Sequence, residues 1–355
     1  MGAGYRPEDV YAGNLLGALA ALDSGITTLV DWSHVQISPG HSDAAVQALT
    51  ESGIRAVFAH GWPPAREWTN DSALGHPQDI RCLREQYFAS EDQLLTLAMA
   101  ARGPEVARRE VWLGDLRPAR DLATRTTVHV GAYEHNARHR AVTQMRDAGV
   151  LGDDITFVHC WRCADDEFAM IADAGASVSL GVHCELNSSG MGDIPLDRLL
   201  AAGIRPSLSG DTETKCSGDM FSQMRMLLAY YRTWMGGGHS RALGAPANLQ
   251  VHDVLEFATL AGAQAAGLAH RTGSLTPGKQ ADVILIRAED LNLAPVSNPA
   301  GAVVLAAHPG NVDTVLVGGR IVKRGGKLVT SDPRRALDLA RRSQERVLAA
   351  IAATR

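Results

Sequence analysis

Up to Asp211 the chain repeats one pattern: a short, continuously apolar run, then a stretch with apolar positions three or four residues apart. Val10, Leu15, Leu16, Leu19 and Leu22 have helical spacing and predict a helix over 7–22, ended by Gly25. The apolar runs at 26–31, 54–60, 94–101, 126–132, 155–160, 177–183 and 204–211 predict seven strands. Helices are predicted at 42–51 (capped by Ser42 or Asp43), at 105–123 with Pro118 breaking the pattern, and at 136–148, 165–174 and 193–202. Two more follow at 218–233 and 249–267, and 61–80 reads as a loop rich in Pro, Trp, Asn and Gly.

Alternation of strand and helix means a parallel sheet, and continuously apolar strands mean that both its faces are covered. The expected class is therefore α/β, a (β/α)8 TIM-type barrel with seven of its eight strands present. The chain opens on a helix, which would place the absent strand before Met1. The character changes at Arg271. Gly273-Ser274-Leu275-Thr276-Pro277-Gly278-Lys279 is turn chemistry, and short strands follow at 281–286, 312–317, 320–322 and 328–329, broken by Gly318-Gly319 and Gly325-Gly326. The expected organisation is a barrel over 1–270, a small β-sandwich part over 271–332 and a charged helix within 333–355. An open seven-stranded body exposes two strand edges, which predicts poor solubility, strand exchange, or closure by the N-terminal helix.

Composition narrows the function. At 355 residues, 45% hydrophobic and 35 glycines, the chain suits an α/β enzyme. A net charge of −5 gives no case for nucleic acid. No apolar run approaches the ~20 residues of a membrane span. Arg6, Glu8, Asp9 and Asp23 rule out a signal peptide in residues 1–25, so the expected location is cytoplasmic. Cys82, Cys160, Cys163, Cys184 and Cys216 make no disulfide framework. Cys160-Trp161-Arg162-Cys163 has C-x-x-C spacing, but no second pair completes a zinc site, and it reads as coincidence beside His159. Gly236-Gly237-Gly238 reads as a flexible loop; no Lys-Ser/Thr follows to make it a phosphate cradle.

The candidate chemistry lies at strand ends. His129, His159 and Asp211 close three apolar runs, and the C-terminal rim of a parallel barrel aims such side chains at one axis. Two imidazoles and a carboxylate are donors for a hydrolytic divalent ion: zinc first, with iron or manganese also suited. Glu185 reads as a substrate-facing carboxylate or a solvated loop acid. His34, His183 and Asn187 are further candidates for contact with substrate, and Trp161, Trp32 and Trp62 for stacking on a flat ring. For Arg225 the expectation is a helix-surface salt bridge.

Several pieces together resemble the amidohydrolase superfamily, in the branch of cytosine, guanine and 8-oxoguanine deaminases and triazine hydrolases. They are Gly25-Ile-Thr-Thr-Leu-Val-Asp31, His129, His159-Cys160, Gly210-Asp211 and Gly273-Ser-Leu-Thr-Pro-Gly-Lys-Gln-Ala-Asp-Val-Ile-Leu285. The resemblance spans nearly the whole chain and implies an amidohydrolase barrel with a sandwich built from both chain ends. By it, His129 is a metal ligand, Asp211 a ligand and proton shuttle, and His159 polarises the substrate or sits in the metal's outer shell. A hydroxide would attack a ring carbon of a small heterocycle, and ammonia, an amine or chloride would leave. Homodimers are common in the family. Two departures stand out. The N-terminal sandwich strands and the first barrel strand with its His-x-His pair are absent. The Glu often found three residues after the fifth-strand His is Ala132 here, with Glu134 two further on. Two readings follow: a metal-dependent deaminase, or a degenerate or truncated homologue that binds without catalysing. An active centre would need another donor, such as His34, His60, His183 or Glu185.

Overall fold

The computed structural model describes residues 4–68, 72–236, 244–246 and 248–353. Gly237 and Gly238 of the glycine run lie outside them, and Gly236 ends a helix. Helix α1 (Pro7–Ser24) leads into strand β1 (Thr28–Ser33). There follow α2 (Pro39–Ser52), β2 (Arg55–His60), α3 (Asp79–Gln86), β3 (Leu95–Ala101), α4 (Arg109–Asp121) and β4 (Arg125–Val130). Next come α5 (Ala141–Asp147), β5 (Ile155–His159), α6 (Asp165–Asp173), β6 (Ser177–Leu180), α7 (Val182–Leu186), α8 (Leu196–Ala201) and β7 (Ser207–Leu208). The seven strands pair in parallel in chain order, β1 to β7. Helices α9 (Met220–Gly236), α10 (Val251–Phe257) and α11 (Leu260–Ala265) complete this body. An antiparallel sheet of β8 (Val283–Ile286), β9 (Val312–Val317), β10 (Arg320–Arg324) and β11 (Lys327–Leu328) follows, with α12 (Pro299–Leu305) between β8 and β9. Helix α13 (Pro333–Ala353) ends the described chain.

The sheet curls. Trp32 Nε1 on β1 donates to Thr127 Oγ1 on β4 at 3.1 Å, across the interior. Inward-facing Val57, Ala59, Ala98 and Ala100 pack with Ala266 and Leu268, which follow α11. The carbonyl of Ala265 accepts from Thr156 Oγ1 at 2.8 Å and Arg125 Nε at 3.2 Å, so this segment plugs the floor. Among the described residues β1 and β7 are the unpaired ends of the sheet. The consequence shows in exposure: every residue of β2 is buried, whereas Val30 in the middle of β1 is 43% exposed. Helix α1 does not close this opening; it packs on α2, on α13 and against the antiparallel sheet.

Buried charge joins the two sheets. Arg55 on β2 donates to Asp282 at 2.6 and 2.9 Å and to Gln280 at 2.6 Å, and Asp282 also accepts from the Gly318 N–H at 2.7 Å. Ala281 and Asp282 lie just before β8, so the Gly273–Leu285 segment is the buckle between the parallel and the antiparallel sheet. Among the described residues no helix is long and apolar enough to cross a membrane.

Local structure departs from the sequence pattern in several places, among them the 204–211 run, of which only Ser207–Leu208 is strand. Helix α3 lies mostly beyond the predicted 61–80 loop. The run 177–183 stops being a strand at Leu180, because Gly181 opens α7. The 249–267 helix is two, broken at Thr259, whose hydroxyl takes the Leu255 carbonyl at 2.7 Å. Pro118 sits inside α4 without ending it; the helix runs on to Asp121. Among the described residues Arg225 has no ion-pair partner; it donates to the carbonyls of Leu305 and Ala307 and pins α9 to the end of α12.

Candidate active site at the mouth of the barrel

His129 and His159 come from adjacent strands, with ring centroids 5.1 Å apart. Register alone would not pair them. Val130 lies opposite His159 and His129 opposite Val158, so a regular pleat would send the two imidazoles to opposite faces. His159 breaks the pleat with φ +73°, and Cys160 follows at +59°. The left-handed turn swings His159 onto the His129 side. Asp211, at φ +54°, is the third non-glycine site residue in this region of backbone space. Such conformations are strained and gather at functional sites.

Glu185 on α7 fixes the ring of His159. Its Oε1 lies 2.8 Å from His159 Nδ1 and accepts from the Gly181 N–H at 2.9 Å. This places Glu185 behind the imidazole, 1% exposed, instead of facing substrate. A carboxylate on Nδ1 holds that nitrogen as the donor and turns the Nε2 lone pair to the mouth. Glu185 Oε2 is buried with no hydrogen-bond partner. Gly181 is required here, since a Cβ would stand 2.9 Å from Cβ of Asp211. His159, Glu185, Gly181 and exposed Asp211 thus form one contiguous chain of contacts.

An aromatic wall faces the imidazoles. The Trp32 ring lies 4.2 Å from that of His129 and 4.4 Å from that of His34, and Trp62 meets Trp32 edge-on at 5.2 Å. Gly61 lets the loop after β2 cross so closely that a Cβ would sit 2.2 Å from the Ser33 carbonyl oxygen. Burial drives His129 well below the usual imidazole range, helped by neighbouring His159 and His34. Burial of its inner face also lowers His34, with the Trp32 backbone and the Asp211 charge opposing. His129 is therefore neutral at pH 7, with a free lone pair.

The remaining candidates stand further off. His183 takes Gln223 Oε1 on its backbone N–H at 3.0 Å, and its Nδ1 is buried without a partner. Asn187 is turned to the Lys215 carbonyl at 2.7 Å. Trp161 lies under the Arg162 guanidinium at 3.9 Å, beside a cavity of about 410 Å³ also lined by Arg162, Cys163, Asp193 and Arg198. Glu134 is ion-paired with Arg162 at the surface. His60 is turned away from the mouth: Nδ1 is 2.9 Å from His76 Nε2, and Nε2 is 3.1 Å from Asp79 Oδ1. Asp219 caps α9, accepting from Ser222 N at 2.8 Å.

One acid absent from the sequence reading belongs beside the site. Glu105, in the loop after β3, accepts from the Gly131 N–H at 2.8 Å, next to Ala132. Burial raises its pKa to about 7, against the pull of the Gly131 N–H; Glu167 raises it further and His159 lowers it. Its only local signal is an acid shortly after a strand end.

The expected meeting of three ligands around one ion is not realised. Among the described residues no three His, Cys, Asp or Glu side chains converge tightly enough to hold a metal. His129 and His159 supply two imidazoles, short of the three protein ligands usual in a catalytic zinc site.

Known proteins place the chain. It is 28% identical to a 5-methylthioadenosine/S-adenosylhomocysteine deaminase of Moorella thermoacetica, over 92% of this chain and 73% of that protein. It is 27% identical to a 5'-deoxyadenosine deaminase of Methanothermobacter thermautotrophicus, over 93% and 75%. Among solved structures, it matches a zinc-bound adenosine deaminase from Xanthomonas campestris with a TM-score of 0.84 and 21% identity, covering 98% of this chain and 77% of that one. Atrazine chlorohydrolase from Arthrobacter aurescens, complexed with zinc, matches at 0.80 and 19% identity, over 96% and 77%. The sequence profile of the amidohydrolase family matches residues 4–322, and the chain belongs to that family of hydrolases acting on carbon–nitrogen bonds.

Proposed function

We propose that the chain hydrolytically deaminates a purine-, pyrimidine- or triazine-like heterocycle. The observation that carries this reading is the His129–His159 pair at the barrel mouth, with His159 aimed by Glu185. The deaminase names of its relatives support the same class of reaction. Trp32, His34 and Trp62 form a wall for a flat ring. Hydrolytic deamination needs a proton taken from water and protons given to a ring nitrogen and to the departing amine. His159, held by Glu185, presents an acceptor nitrogen for the first task and, once protonated there, a donor that polarises the ring nitrogen for the second. Asp211, exposed at the rim, moves protons between water and the leaving ammonia. His183, Asn187 and Trp161 are proposed to contact the substrate's periphery.

A divalent ion would lower the pKa of bound water to about 7 and so supply hydroxide at neutral pH. The chain offers His129, His159 and Asp211 for it, zinc suiting that set ahead of iron or manganese. As placed, these residues do not form a complete cradle, and no step is assigned to the ion. That gap favours a second reading, a binding protein without a competent centre. Two measurements on purified chain separate them: metal content by mass spectrometry after dialysis, and ammonia release from adenine nucleosides, free nucleobases and aminotriazines. Ammonia release abolished in His159→Asn supports the deaminase. Tight ring binding with no ammonia, with or without added zinc, overturns it.

A further inference from the structure

We propose that Cys160 and Cys163 form a reversible intrachain disulfide, a redox modification site directly behind His159. The C-x-x-C spacing alone is a weak signal; the fold adds four observations. First, the Cys163 N–H donates to the Cys160 carbonyl at 3.1 Å. An i to i+3 bond of this kind closes a turn that holds the two Cα atoms within about 7 Å, the range a disulfide spans. Second, both cysteines are free, and the two thiols lie near enough to influence each other's charge. Third, the turn is clamped from both sides. Cys160 N donates to Val130 O at 2.9 Å and Arg162 N to Gly131 O at 2.8 Å. Arg198 donates to the carbonyls of Cys163 and Trp161 at 2.8 and 2.5 Å. The backbone of the turn is therefore already fixed, and closing the bond has little chain entropy left to lose. Fourth, access is one-sided. Cys160 is fully buried, whereas Cys163 lines the cavity of about 410 Å³ beside Trp161 and Arg162.

That asymmetry assigns the order of events. Cys163 attacks a low-molecular-weight disulfide RSSR from the cavity, giving a mixed disulfide and one RSH. The Cys160 sulfur then displaces the second RSH, and the two thiol protons leave on the two RSH. The protein pair is oxidised by two electrons and RSSR is reduced. The bond would staple the left-handed turn at the end of β5, the element that swings His159 toward His129. A disulfide of this kind in a reducing compartment is transient and redox-sensing.

The test uses the full chain incubated with oxidised glutathione, then alkylated, digested with trypsin and weighed. Cleavage after Arg162 separates the two cysteines, so the bond joins a peptide ending at Arg162 to one running from Cys163 to Arg198; that second peptide also holds Cys184, and fragmentation should place the alkyl group on Cys184 and leave Cys163 in the bond. We expect the alkylated cysteines to fall from five to three, that cross-link to appear, and dithiothreitol to restore all five thiols. Cys163→Ser should leave Cys160 reduced under the same treatment, with an unchanged circular dichroism spectrum. Should Cys160→Ser fail to fold, the Cys163 variant still decides. Any of three results overturns the proposal: both cysteines fully alkylated after oxidation, a bond between Cys184 and Cys216 instead, or a stoichiometric soft metal ion held by the pair.

Discussion

The left-handed dihedral of His159 does what strand register cannot: it brings two imidazoles from opposite faces of the pleat to one side. Glu185 then decides which nitrogen faces the mouth. Glu185→Gln keeps the shape and removes the carboxylate. Positioning partners of this type typically matter 10- to 100-fold in activity. A loss of kcat/KM of about that size with an unchanged thermal midpoint is expected; full activity would show that His159 needs no orienting partner. Asp31 offers a pH test. Burial raises its carboxyl to about 6, opposed by the 2.8 Å bond from Asn14 Nδ2. The native state thus keeps a proton on Asp31 up to about pH 6, while an unfolded aspartate loses it near 3.9. Folding takes up that proton in between, so this contribution to stability is full below about pH 4 and is lost as pH rises to about 6. Asp31→Asn should raise the melting temperature at pH 8, and the gain should vanish as pH approaches 4. An equal gain at both pH values would rule out the titration.

At the scale of elements, continuous apolar runs located all seven parallel strands, because a strand covered on both faces has no polar positions to confuse the pattern. Strands and helices at the inner and outer layers share one requirement, apolar burial, which short-range spacing records. Three short helices escaped. α3 carries only Ile80 and Leu83 as buried residues, α7 has five residues, and α12 has seven, of which Val304 is the one buried. Each is held by its neighbours more than by its own period. α9 is the opposite case, with a local start signal that works as expected. Its Asp219 cap accepts from Ser222 N at 2.8 Å and from the Ser217 hydroxyl at 2.5 Å. Asp219→Ala should cost about 1 kcal/mol in urea unfolding. No change would mean that packing alone sets the start of this helix.

The whole molecule depends on a contact that spans more than two hundred residues. Arg55 and Asp282, both almost fully buried, fasten the foot of β2 to the entry of the antiparallel sheet. Removing one partner of a buried pair strands the other, at about 3–5 kcal/mol. Arg55→Ala should show that loss in denaturant unfolding. Arg55→Met with Asp282→Leu should recover much of it, because no lone charge remains. Equal loss in single and double variants would point to lost packing instead.

What the sequence by itself determined is the class of the fold, the strands and their order, the rim positions of His129 and His159, and the family. These follow from hydrophobic period and from residue types next to strand ends, both local in the chain. Only the tertiary structure decided what the polar residues do. It placed Glu185 behind His159, tied His60 to His76 and Asp79, and brought unannounced Glu105 beside Ala132. It also left the donors short of a closed metal cradle and gave the C-x-x-C turn its geometry. Hydrogen bonds and ion pairs act over a few ångströms and join residues tens to hundreds of positions apart, so their partners are chosen by packing and by backbone dihedrals such as φ +73° at His159. No periodicity records them.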